Sequence, residues 1–140
     1  MWSPIVHVDI EHQGTIYAAD MGKGKVATFK ASEWVTPTAS FQIAIPDATA
    51  SRILQQYVER GYGYGWVDFL LYPFRKFILF DGAGKICSEM VAEILVAMGK
   101  AYNAPGTNLA YIAATLEGKE HTMSPSDLFE IVHATAFVEP

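Results

Sequence analysis

The chain's single cysteine, Cys87, stands in a stretch that reads as a glycine-rich turn running straight into a helix: Asp81-Gly82-Ala83-Gly84-Lys85-Ile86-Cys87-Ser88-Glu89-Met90-Val91. Ile86, Met90, Ile94 and Met98 recur every fourth residue, and Val91 and Leu95 widen the apolar stripe, so the spacing predicts a helix with Cys87 in its first turn. The first N–H groups of a helix lack internal partners and carry the positive end of its dipole, which favours a thiolate over a thiol. The same groups, here the N–H of Cys87 or Ser88, would hold the oxyanion of an acyl-transfer intermediate. The chemistry such a position suggests is nucleophilic attack by sulfur. It suits a small buried hydrophobe as well, since cysteine outside disulfides is among the most buried residue types.

A cysteine nucleophile needs a base to take its proton and a third group to hold that base. Of the four histidines, His12 and His121 fall in predicted turns and His133 near the end of the last predicted helix, where spacing gives none of them a route to Cys87. His7 differs. Residues 5–11 alternate, with Ile5, His7, Asp9 and Glu11 on one face of a strand and Val6, Val8 and Ile10 on the other. Two carboxylates are candidates to orient His7: Asp9, two residues on along the same face, and Asp20, at the end of the neighbouring strand. Asp9 also fits an ordinary solvated face, and Asp20 a loop cap.

The elements that would position these residues can be read in order. Gln13-Gly14 marks a hairpin turn, residues 15–20 the returning strand, and residues 26–29 a third short strand. Residues 41–45 alternate again and stop at Pro46. Asp47 reads as the N-cap of a helix whose stripe is Ile53, Leu54, Tyr57 and Val58, closed by Gly61. In residues 61–72 glycine alternates with aromatics, a pattern that suits a substrate-lining loop or simple packing. Residues 77–80 form an apolar run into the cysteine turn. After the cysteine helix, residues 99–106 read as a loop and residues 109–116 as either a helix or a strand, with the helix preferred. Ser124-Pro125-Ser126-Asp127 announces a last helix, with Ser as N-cap, Pro at the first helical position and Asp completing a capping box. Leu128, Phe129, Ile131 and Val132 pack it, and residues 136–138 suggest an edge strand. The whole reads as α+β, a small antiparallel sheet packed against helices in one domain spanning residues 1–140.

Three motifs, in chain order, carry a resemblance. His7-Val8-Asp9-Ile10 followed by a hairpin, then Cys87-Ser88-Glu89-Met90-Val91 opening a helix and Ser124-Pro125-Ser126-Asp127-Leu128 beyond it, resembles the circularly permuted, NlpC-type papain-like cysteine hydrolases. The stretch 61–71 is similar to one in small phage-encoded members of that group. The resemblance covers most of the chain and implies a permuted papain-like fold. It also implies the roles: Cys87 as nucleophile, His7 as base and acid, and Asp20, or failing it Asp9, as orienter. The substrate it implies is an amide of peptide or peptidoglycan type, with thioester or acyl transfer as a variant. No metal or organic cofactor is called for. The same fold also serves as a non-catalytic phage or bacterial binding or structural module.

Composition narrows the alternatives. A net charge of −5 and the lack of any Lys/Arg run argue against a nucleic-acid grip, which needs a basic face. Residues 1–7 do not have the pattern of a signal peptide, and no apolar run reaches the ~18 residues of a membrane span, so the expected compartment is the cytoplasm, the host's for a phage-encoded chain. One cysteine makes no internal disulfide and lacks the neighbours of a zinc site. A phosphate-binding loop at Gly84-Lys85 is rejected, because Leu79 stands where its first glycine belongs and Ile86 where Ser or Thr belongs.

Overall fold

Gln13 and Gly14 both take positive φ, 51° and 78°, the pair of left-handed residues that a two-residue type I′ turn demands. The computed structural model describes residues 8–20, 25–34, 37, 39–60 and 82–135, the side chains of 20, 25, 60, 82–86 and 121 aside. The turn joins β1 (Ile10–His12) to β2 (Thr15–Asp20) in antiparallel register, Ile10 opposite Tyr17 and His12 opposite Thr15. On the other side of β2 lies β3 (Lys25–Lys30), also antiparallel, with Ile16 opposite Phe29 and Ala19 opposite Val26. The sheet order is therefore β1-β2-β3, a meander. A 3-10 turn (Ala31–Glu33) follows, and the Ala31 N–H donates to the Gly14 carbonyl at 2.9 Å, which ties the end of β3 back to the hairpin tip.

The two faces of the sheet have different partners. Val8, Ile10, Tyr17, Ala19 and Val26 pack into the main core. Ile16 and Ala18 alternate to the other face, where Phe29 packs at a tilt against Trp34 with ring centroids 4.5 Å apart.

Against the core face lie four helices among the described residues. Helix α1 (Asp47–Arg60) buries Ala50, Ile53 and Leu54 and half-buries Tyr57 and Val58, the predicted stripe. Asp47 itself is the first helical residue and not the cap, and its carboxylate instead meets His12, Nε2 to Oδ1 3.3 Å. Helix α2 (Gly82–Tyr102) is the longest and touches β2, α1 and both helices that follow it. Asn103, at φ 49°, ends α2 and donates its N–H to the Gly99 carbonyl at 2.9 Å. Helix α3 (Asn108–Leu116) starts on the Thr107 hydroxyl, which accepts from Ala110 at 3.2 Å. A second 3-10 turn (Glu120–Thr122) leads to α4 (Pro125–Thr135). Its capping box is reciprocal: the Asp127 N–H donates to Ser124 Oγ at 3.1 Å and the Ser124 N–H to Asp127 Oδ2 at 3.2 Å. Leu54, Met90, Ile94, Leu109, Ile112, Leu116 and Leu128 are fully buried, each contributing about 1.5–3 kcal/mol of transfer free energy.

The α+β reading thus holds, with three corrections to its elements. Of the strand expected over residues 5–11, the described residues 8 and 9 precede β1, and His12, expected in a turn, is its last residue. Residues 41–45 pair with no strand among the described residues. Their alternation is real, since Phe41, Ile43 and Ile45 pack on the core while Gln42 and Ala44 are exposed, but it reports an extended backbone laid over helices and not a sheet ladder. Gly99 belongs to α2 and not to a loop, because it marks where α3 comes closest. The Ala136–138 strand expectation and the stretches 61–72 and 77–80 fall outside the described residues.

A methyl group added at Gly99 would stand 2.3 Å from Ala113 Cβ. Overpacking of this kind costs about 1–3 kcal/mol, more than the ~1 kcal/mol that Gly to Ala returns in helix propensity. Gly99→Ala is therefore expected to lower the thermal midpoint, and Gly99→Ala with Ala113→Gly to recover most of the loss, followed by circular dichroism.

Candidate functional site

Helix α2 begins at Gly82, so Cys87 is its sixth residue and lies in the second turn. This corrects the first-turn expectation. The glycines at 82 and 84 do not hold off the helix, and it extends one turn further toward the amino end than their turn-forming character suggests. At positions six and seven the N–H groups of Cys87 and Ser88 are committed to carbonyls four residues back. They are no longer donors for an oxyanion.

From Cys87 to Val96 every residue except Glu93 is buried. A helix closed in on all sides belongs to the centre of a core. Cys87 is 2% exposed, Ser88 0% and Glu89 2%. Polar groups at such depth need partners, since a buried hydroxyl without one costs about 1–3 kcal/mol. Ser88 finds its partner outside its own helix: Oγ donates to the main-chain carbonyl of Met123, 35 residues on in sequence. Here the hydroxyl fastens the Cys-Ser-Glu turn to the residue just before the α4 capping box. One turn and a half further along α2, Glu93 Oε1 accepts from the Tyr57 hydroxyl at 3.2 Å, which joins α2 to α1.

The other residues proposed from sequence are distributed as follows. His7 lies outside the described residues. Asp20 ends β2, opposite Lys25 in register, and its side chain lies outside the described set. Strand β2 itself packs against α2. Asp9 accepts from the Trp34 indole, Nε1 to Oδ2 2.8 Å. It sits between Val8 and Ile10, which face the core, so its carboxylate is turned to the Trp34 side of the sheet. His12 meets Asp47, as described, and His133 stacks on Phe129 with centroids 5.6 Å apart. Among the described residues no group of three or more His, Cys, Asp or Glu side chains could hold a metal ion, and no helix is long and apolar enough to cross a membrane.

Two hydrogen bonds that fasten α2 to its neighbours escape a reading of the sequence. Ser88 and Tyr57 each reach a partner more than thirty residues away, so no local spacing announces them. The signal available was compositional: a polar Ser-Glu pair inside an otherwise apolar helical stripe has to be satisfied by something.

Burial raises the pKa of Tyr57 well above the ordinary tyrosine value, and the charge and hydrogen bond of Glu93 and the charge of Glu120 add to the effect. A folded-state value raised above the unfolded one stabilises the fold fully below the unfolded value, about 10, and that stabilisation is lost as pH rises toward the folded value. Tyr57→Phe is expected to cost about 1 kcal/mol at neutral pH. The gap between wild type and variant should stay constant up to about pH 10 and close above it, measured by urea unfolding.

Compared with models of protein families, with curated proteins and with solved structures, the chain has no match.

Proposed function

We propose that this chain is a cysteine hydrolase of the permuted papain-like, NlpC-type kind, acting on an amide of peptide or peptidoglycan type in the cytoplasm, the host's for a phage-encoded chain. One observation carries the reading. Two of the three motifs behind the resemblance, Cys87-Ser88-Glu89 and Ser124-Pro125-Ser126-Asp127, are held together by the Ser88 hydroxyl on the carbonyl next to Ser124. The meander that follows His7 in the chain supports it too, since β2 packs against the helix that carries the cysteine.

In this reading the Cys87 sulfur gives its proton to His7 and attacks the substrate carbonyl carbon, forming a C–S bond. Collapse breaks the C–N bond as His7 protonates the leaving nitrogen. Water, deprotonated by His7, then cleaves the thioester and returns the thiolate. A hydroxyl or amine in place of water gives the acyl-transfer variant. Asp20 holds the imidazole, a role that Asp9, already bonded by Trp34, is less able to serve. The oxyanion is met by donors other than the N–H groups of Cys87 and Ser88. Because the sulfur is 2% exposed, a path to it opens before substrate reaches it.

That same burial favours a second reading, a non-catalytic module in which Cys87 is a packing residue of the central helix. Iodoacetamide separates the two. A hydrolase is alkylated at Cys87 in the native state at about pH 6 faster than a free thiol, and a packing cysteine only after denaturation. In a panel of amide and ester substrates, Cys87→Ala and His7→Ala are each expected to lower turnover by about 10³-fold or more while the circular dichroism spectrum is kept. Asp20→Asn should lower turnover less than either, and more than Asp9→Asn. Equal and negligible effects of the two Asp changes would remove Asp20 from its role.

A further inference from the structure

We propose that the outward face of the meander carries a docking site for an arginine side chain of a partner polypeptide, built from Phe29, Trp34, Glu11 and Glu33. It is independent of Cys87 and of the hydrolase reading. Among the described residues, Phe29 and Tyr111 are the large hydrophobic side chains left exposed. Tyr111 offers water a hydroxyl. Phe29 has no polar atom to offer, and it is 42% exposed on the face of the sheet turned away from the helices.

The surroundings of Phe29 decide what its ring can take. Cross-strand partners share a face, so Glu11, opposite Ile16, and Phe29, on the other side of Ile16, form one row across the three strands. At the spacing of strands in a sheet, the Cα atoms of Glu11 and Phe29 lie about 10 Å apart. Trp34 packs on Phe29 and is held a second time by the bond from its Nε1 to Asp9, 2.8 Å. Glu33 precedes Trp34 in the 3-10 turn that the Ala31 N–H ties to the hairpin tip. Glu11 and Glu33 are both exposed, and neither enters an ion pair among the described residues. Lys30 follows Phe29 but is paired with Thr15, which puts it on the opposite face.

Two aromatic rings flanked by two carboxylates, on a chain of net charge −5, complement a positive group. The face of a ring is negative and attracts a cation held within about 6 Å of its centre. Of the cationic side chains arginine fits best, because its planar guanidinium lies on a ring while the N–H groups at its edge stay free for carboxylates. A free amino acid would bring its own carboxylate against Glu11 and Glu33. An arginine within a polypeptide does not. The Asp9 bond and the tie to Gly14 fix the platform before anything binds, so little order is lost on docking.

The test is an NMR titration with the peptide acetyl-Gly-Arg-Gly-Arg-Gly-amide, following the Trp34 indole N–H, beside the same peptide with citrulline for arginine and beside free arginine. The arginine peptide is expected to bind about tenfold tighter than either. Phe29→Leu, which keeps an apolar side chain and removes the ring, should weaken it about two- to fivefold. Glu11→Gln with Glu33→Gln should weaken it about three- to tenfold. Glu59→Gln with Glu130→Gln changes the net charge equally, on helices at the other side of the sheet, and should leave the affinity within about twofold. Equal losses in the two charge pairs overturn the proposal, as do an unchanged affinity in Phe29→Leu, a tie with citrulline or with free arginine, and no shift at millimolar peptide. Sedimentation that shows a dimer for wild type and a monomer for Phe29→Leu assigns the platform to a second copy of the chain and overturns it as well.

Discussion

The central constraint on this molecule is the enclosure of α2. Ten residues of one helix, all but one of them buried, are surrounded by a sheet, three helices and a short turn, and that surround can only be built if the polar groups inside it are satisfied. The Ser88 hydroxyl on the Met123 carbonyl and the Glu93 carboxylate under the Tyr57 hydroxyl bond α2 to two different neighbours, α4's leading loop and α1. Apolar burial supplies most of the driving force. These directional contacts select one orientation of the helix among those that burial alone would allow.

The remaining elements follow from that enclosure. The meander presents Val8, Ile10, Tyr17, Ala19 and Val26 to the core and closes its other face with Phe29 and Trp34. The extended segment 41–46 lays Phe41, Ile43 and Ile45 over the helices where a further strand would have needed an edge to pair with. Gly99 lets α3 approach to a distance that no side chain at that position would permit. Lys100 and Glu117, 2.8 Å apart across the same helix pair, are exposed and add little to it.

What was legible in the sequence is what local chemistry decides. The Gln13-Gly14 turn and the Ser124–Asp127 box are each complete within four residues, and both stand as read. So does strand β2, whose pattern runs the length of the element, whereas the apolar run 109–116 fits a helix or a strand by local pattern and is α3 in the fold. The misreadings share a cause. Gly99 looked like a loop because its reason for being glycine is Ala113, on another helix. Residues 41–45 looked like a strand because alternation reveals which side is buried and not what pairs with the backbone. The start of α2 was misjudged because helical packing outweighed glycine's local preference. For the candidate site, the burial of Cys87 and its anchorage through Ser88 are tertiary facts, and no spacing along the chain encodes them.

The short connections between α2, α3 and α4 bear on how the chain assembles. These helices are consecutive, and they pack on one another with few residues between them, so their mutual contacts close small loops and carry a small entropic penalty. The meander and α1 must instead be brought to α2 from far upstream. By loop closure alone the helical half and the meander are each expected to form locally, with the docking of the sheet on α2 as the long-range step, and separation of the two as the expected sub-global opening. A partial opening of that kind would bare one side of the central helix while its hydrogen-bonded ladder stays intact.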